Sequence, residues 1–154
     1  MTLRKLILPG LFAVVAAGTA LATDPLTTAV SPDALLERLD DGEKAPYVLD
    51  VRTAEEFVAG HVPGAVNIPY DQVASRLAEV PKDRDVVLYC RSGRRAQLAA
   101  EVLVDKGYSR LEHLQGDMPA WAAQGRPVEK PRDAAACTAA LASGGPLQQA
   151  CVAN

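Results

Sequence analysis

Histidine, cysteine and aromatic residues are scarce in this chain: two histidines, three cysteines and an aromatic fraction of 5% in 154 residues. The histidines, His61 and His113, stand far apart, and only one thiol remains once two tail cysteines are set aside, so no metal site is expected. No glycine-rich dinucleotide fingerprint and no Walker pattern occurs, so no organic cofactor is expected either. Basic helices and aromatic-basic stripes are missing, and the net charge is −3, which argues against nucleic acid as a partner. No internal repeat or low-complexity tract interrupts Thr28 to about Arg126. What remains is length for one domain and a 49% apolar fraction, ample for a core.

Long hydrophobic runs are limited to one, at the start. Arg4 and Lys5 precede the apolar stretch Leu6 to Ala17, and Ala20-Leu21-Ala22 is a small-x-small pattern before Thr23. This is the layout of a secretory signal peptide, residues 1–22, with cleavage after Ala22. An uncleaved anchor is the competing reading, but the stretch is short and broken by Pro9-Gly10. The mature chain is then expected in the periplasm or outside the cell, with no stable membrane association.

In an oxidising compartment Cys137 and Cys151, flanking Gly144-Gly145-Pro146, suggest a disulfide closing the tail. Such a loop stabilises by about 3 kcal/mol on the chain-entropy model. The alternative is that one tail cysteine resolves a sulfur bound at Cys90. The bridge would leave Cys90 as the only free thiol.

Between the signal and the tail, strands alternate with helices. Val30 and its neighbours form a short strand, and Ser31-Pro32 caps a helix whose inner face is Ala34, Leu35, Leu36 and Leu39. Tyr47 to Leu49 reads as a strand ending at Asp50-Val51-Arg52, and Thr53 caps a helix over Ala54 to Ala59. A brief strand at Ala65 to Ile68 precedes a predicted helix within Pro69 to Pro81, with Val73, Leu77 and Val80 inward. Val86 to Tyr89 is a buried strand, Arg94 to Lys106 a helix, Leu111 to Leu114 the last strand, and Gly116-Asp117 opens a helix carrying Trp121 as core packing. Residues 127–131 read as a linker, and Ala134 to Leu141 as helical. With no hairpin signal, the pattern implies a mostly parallel central sheet with helices on both faces, plus a C-terminal tail. Ligands of such sheets sit beyond the carboxyl ends of the strands. Asp50 and Cys90 both lie there and are expected to face one site.

Cys90 ends a strand and Arg94 begins a helix, with Arg91, Ser92 and Gly93 as the turn. Unpaired amides at a helix start, the helix dipole and Arg91, Arg94 and Arg95 favour a thiolate and attract an anion. A lone cysteine at a strand end is often an inert small hydrophobe. Three cations within six residues are not needed by such a cysteine.

Asp50-Val51-Arg52 with Glu56-Phe57, Gly60-His61-Val62-Pro63-Gly64-Ala65-Val66-Asn67-Ile68-Pro69, Tyr89-Cys90-Arg91-Ser92-Gly93-Arg94-Arg95-Ala96 and Leu114-Gln115-Gly116-Asp117-Met118-Pro119-Ala120-Trp121 together resemble the rhodanese family of sulfurtransferases. The resemblance covers roughly Thr28 to Arg126. With the signal at 1–22, the resemblance puts the rhodanese domain at 23–126 and leaves 127–154 as a C-terminal extension with the expected disulfide. Asp117 departs from the pattern, where the family usually has a second glycine; aspartate tolerates left-handed angles, so a small local adjustment is expected. The tail lies outside the pattern.

The resemblance implies that Cys90 takes sulfur from thiosulfate or a related small anionic donor as a persulfide. It then passes the sulfur to a thiol, to cyanide or to a protein acceptor. Amides of Arg91 to Arg95 would hold the persulfide's charge, and Arg91 and Arg94 would steer the donor's sulfonate. Arg95 has two readings, substrate contact or an ion pair with Asp50. Asp50, Arg52 and His61 are supporting residues; His61 is expected to fix its turn by bonding backbone rather than act as a base. His113 is expected to pack or face solvent. Cysteine phosphatases and arsenate reductases of related fold use a longer Cys-x5-Arg loop, whereas Cys90 to Arg95 is Cys-x4-Arg. A non-catalytic persulfide carrier or docking module is the reading from another class.

Overall fold

The computed structural model describes residues 26–143. Five strands, β1 (Thr28–Val30), β2 (Tyr47–Asp50), β3 (Val66–Asn67), β4 (Val86–Tyr89) and β5 (Leu111–Leu114), form one sheet in the order β1-β5-β4-β2-β3. Every pairing is parallel, with Asp50 beside Tyr89 and Leu49 beside Val66. β4 runs through the centre with all four side chains buried, so the chain leaves the sheet at Cys90 from its most protected position.

The connecting helices are α1 (Pro32–Leu39), α2 (Ala54–Ala59), α3 (Arg94–Asp105), α4 (Asp117–Ala123) and α5 (Ala134–Ser143). Their starts follow from local chemistry. Ser31 Oγ accepts the Ala34 N–H at 3.2 Å, with proline at the first position of α1. Thr53 and Glu56 exchange side-chain and backbone bonds in a capping box that sets the start of α2. Leu35, Phe57, Trp121 and Cys137 fill one face of the sheet, while Ala96, Ala99, Ala100 and Leu103 of α3 fill the other with Val73 and Val80. Helices therefore cover both faces, as expected. Among the described residues no helix is long and apolar enough to cross a membrane.

Two expectations are corrected. The helix predicted within residues 69–81 is instead two 3₁₀ turns, Val73–Ser75 and Leu77–Glu79. Ser75 Oγ bonds back to the Gln72 carbonyl at 2.9 Å, and the Arg76 N–H is shared between Gln72 and Val73 carbonyls. These local bonds hold the tighter turn in place of an α-helical ladder. Val73 and Val80 still point inward. The second correction concerns residues 127–131, which are anchored rather than loose. Pro127 accepts the Trp121 indole N–H at 2.7 Å, and Glu129 exchanges two backbone bonds with His61. Residues 1–22 and Cys151 lie outside the described residues.

Candidate active site

Cys90 is completely buried, and it is the free cysteine among the described residues. Its sulfur accepts the N–H groups of Gly93 at 3.2 Å and Ser92 at 3.4 Å. The turn closes this tightly because Gly93 adopts φ +83°, in the left-handed region that a side chain disfavours. A Cβ at Gly93 would also lie 3.2 Å from the His113 ring. The backbone thus aims two amide dipoles at the sulfur from the turn that leads into α3, where negative charge is favoured. The inert-hydrophobe reading supplies no reason for that arrangement.

The three arginines divide. Arg91 and Arg94 are exposed. Arg95 is half-buried and forms a bidentate pair with Glu56, 2.6 and 3.0 Å. The expected Arg95–Asp50 pair is therefore corrected: the partner is the capping-box glutamate of α2. The bond to Arg95 depresses the Glu56 carboxyl from its ordinary value to about 2, against a smaller effect of burial. In turn Glu56 holds Arg95 charged, with a further contribution from the nearby Cys90 sulfur.

Asp50 does not face the cysteine loop. Its fully buried carboxylate receives Arg52 Nε and Nη2, the latter at 2.6 Å, and the Tyr89 hydroxyl at 2.7 Å. The reason is register: Asp50 lies beside Tyr89, so its side chain shares the Tyr89 face, and Cys90 belongs to the opposite apolar cluster. Burial opposes the charge of Arg52, and the bonds from Asp50 more than offset it. Arg52 also donates to the Gly60 carbonyl at 2.8 Å, and Tyr89 accepts the Val62 N–H at 3.1 Å. Asn67 donates to the carbonyls of Asp50 and Arg52. This network fixes the Gly60–Gly64 turn against the end of β4, one residue before the thiol.

His61 lies buried at the end of α2 and bonds its backbone. Nδ1 donates to the Phe57 carbonyl at 2.9 Å, and the ring stacks on Phe57 with centroids 3.7 Å apart. Burial pushes its pKa down, opposed by the Phe57 bond and the charges of Asp50 and Glu129.

Asp117 does more than the sequence suggests. Its φ of +56° meets the left-handed expectation, yet its buried carboxylate also accepts the Cys90 N–H at 2.7 Å and lies 3.2 Å from His113 Nε2. The departure from the usual glycine thus places a hydrogen-bond acceptor beneath the cysteine. Gly116 cannot vary the same way, since a Cβ there would sit 2.5 Å from Ala120 Cβ. Tyr89, Glu56, Asn67 and Asp117 are the site residues that sequence reasoning left without a role. Period-2 alternation along β4 carries the signal for Tyr89, because it sends that side chain to the face opposite Cys90. No group of three or more potential metal ligands occurs among the described residues.

A six-residue loop presenting a thiol to amide donors and cations defines a sulfur-handling α/β domain. Residues 31–124 match the model of the rhodanese-like domain, and the chain belongs to that family. It is 40% identical over 102 residues to a sulfurtransferase of Allochromatium vinosum, covering 66% of this chain and 94% of that protein. It is also 40% identical over 74 residues to the thiosulfate sulfurtransferase PspE of Escherichia coli, covering 47% of this chain and 71% of PspE. The putative sulfur carrier protein YrkF of Bacillus subtilis is 32% identical over 92 residues, with 60% of this chain and 49% of YrkF covered. Among solved structures, the Alr3790 protein of Anabaena sp. matches with TM-score 0.61 and 30% identity, over 66% of this chain and 82% of that one. A rhodanese-like domain protein of Staphylococcus aureus matches at 0.59 and 29%, over 68% and 98%. The relatives of Allochromatium vinosum and Escherichia coli carry the name sulfurtransferase, and with the rhodanese-like domain they support sulfur transfer in general for this chain.

Proposed function

We propose that the chain is a thiosulfate-type sulfurtransferase working through a Cys90 persulfide. The Cys90 thiolate attacks the outer sulfur of thiosulfate; a new S–S bond forms, the donor's S–S bond breaks, and the electron pair leaves with sulfite. A thiolate or cyanide then attacks the outer sulfur of the persulfide. The Cys90 S–S bond breaks, its electron pair returns to Sγ, and the product is an alkyl persulfide or thiocyanate. The observation that carries the reading is the pair of N–H groups of Ser92 and Gly93 on the Cys90 sulfur. Donors already in place stabilise developing negative charge without reorganisation. Exposed Arg91 and Arg94 meet the dianionic donor, and Glu56 keeps Arg95 oriented at the loop.

Sustained thiocyanate formation from thiosulfate and cyanide, abolished in Cys90→Ser, is the expected result. A single stoichiometric release followed by arrest would instead support the carrier reading, which the likeness to YrkF motivates. We further propose export through residues 1–22 and a Cys137–Cys151 bridge. Mature protein beginning at Thr23, with two fewer protons on the tail peptides, is the mass expected of both.

A further inference from the structure

Asp117 and His113 are titratable side chains beside the cysteine loop that the sulfur chemistry above leaves unused. Asp117 is buried and, among the described residues, is the one non-glycine with positive φ. L-residues are disfavoured in that region, and residues held there cluster at functional sites.

The partners of the carboxylate show what it does. Oδ1 accepts the Cys90 N–H at 2.7 Å and lies 3.2 Å from His113 Nε2. A carboxylate oxygen accepts, so the ring nitrogen is the donor. The next residue, Met118, donates its N–H to the Cys90 carbonyl at 3.2 Å. Both backbone groups of Cys90 are therefore held by the first turn of α4.

Strand register brings His113 to the same place. Leu88 of β4 lies beside His113 of β5, so the ring stands on the Leu88 face of the sheet, to which Cys90 also belongs. At the far end of the turn, a Cβ at Gly93 would lie 3.2 Å from His113 Cε1 and 3.5 Å from Asp117 Oδ2. Gly93 is one of the two residues whose N–H points at the sulfur. The pair thus backs the turn at its start and at its end.

We infer that His113 and Asp117 are a positioning pair for the reactive loop. Asp117 fixes the Cys90 main chain, His113 fixes Asp117 and backs Gly93, and together they keep the thiol under the Ser92 and Gly93 amides. The consequence for rate rests on the sulfurtransferase reading above. The pair transfers neither proton nor sulfur, so it acts on the reacting sulfur and leaves donor binding to the exposed arginines.

The test uses the full chain. Sulfite release from thiosulfate is followed by stopped flow over a range of donor concentrations, with rates expressed per alkylatable Cys90. Asp117→Ala and His113→Ala should each lower the saturating rate about tenfold or more, with the half-saturating thiosulfate concentration changed by less than about twofold. Asp117→Asn, whose amide oxygen still accepts the Cys90 N–H, and His113→Gln, which keeps a donor for Asp117, should recover most of the rate. The double alanine variant should be no slower than the slower single one, because the two residues act as a unit. Misfolded chain lowers the alkylatable fraction and leaves the rate per site untouched. Unchanged saturating rates in both alanine variants, or Asp117→Asn as slow as Asp117→Ala, would overturn the inference. A wild type that releases no sulfite would overturn the sulfurtransferase reading instead. Amide hydrogen exchange at Cys90 and Gly93 then decides the pair: exchange about tenfold faster in both alanine variants is expected, and unchanged exchange would overturn it.

Discussion

Arg95 is held beside the cysteine loop by its ion pair with Glu56. Glu56 serves two masters, capping α2 through Thr53 and gripping Arg95 with both oxygens. Glu56→Gln keeps the cap and loses the bidentate ionic grip, so Arg95 should wander from the loop. Misplacement of a positioning group by an ångström costs on the order of a hundredfold in rate. The expected result is sulfur loading slowed by about tenfold to a hundredfold, with alkylation of Cys90 by a neutral reagent little changed. Stopped-flow loading beside iodoacetamide kinetics measures both. Asp117 acts at the same scale through the Cys90 N–H. Asp117→Gly restores the family's residue but leaves that buried donor without its acceptor, at about 1–3 kcal/mol. A lower Tm with Cys90 still alkylatable is the expected outcome.

Among the elements, β2 and β4 matter most because Asp50, Arg52 and Tyr89 join their ends to the Gly60–Gly64 turn. Removing the carboxylate in Asp50→Ala leaves the Arg52 guanidinium buried and uncompensated. Breaking a buried pair from one side costs about 3–5 kcal/mol. A fall of that size in denaturant-unfolding free energy is expected, whereas an unchanged midpoint would remove the network from the account of the fold. The elements themselves were legible in the sequence. Caps such as Ser31 and Thr53, the apolar run of β4 and the spacing of Ala96, Ala99, Ala100 and Leu103 are all short-range signals. The Cys90 loop was legible for the same reason, since thiol, glycine and cations lie within six residues. The Arg95–Glu56 pair spans 39 residues and the Cys90–Asp117 bond 27, and such meetings are decided by strand order and register. The 3₁₀ turns escaped because an inward pattern of Val73, Leu77 and Val80 fits helix and tight turns alike.

Taken as a whole, the molecule is a parallel sheet whose site lies at one end and whose extension folds back over α2. Its stability should respond to acid through His61. Burial lowers the folded pKa of this ring below the ordinary 6.5. As pH falls through the ordinary value, the unfolded chain takes up a proton that folded His61 refuses, so stability drops in that window. His61→Gln, which keeps a donor for the Phe57 carbonyl, should flatten the Tm profile between about pH 7 and 5. Glu56 acts lower. Its depressed pKa means the contribution is intact above the ordinary 4.5 and is lost as pH falls through about 2. A profile equally steep with and without His61 would assign the acid sensitivity to other groups.

The central claim is that sulfur resides on Cys90 during transfer. Full chain incubated with thiosulfate, freed of excess donor and digested without reductant, is weighed peptide by peptide. One added sulfur on the Cys90 peptide, removed by cyanide and absent from Cys90→Ser, is the predicted result. An unmodified Cys90 peptide, with the thiol alkylatable and sulfite nonetheless released, would contradict it.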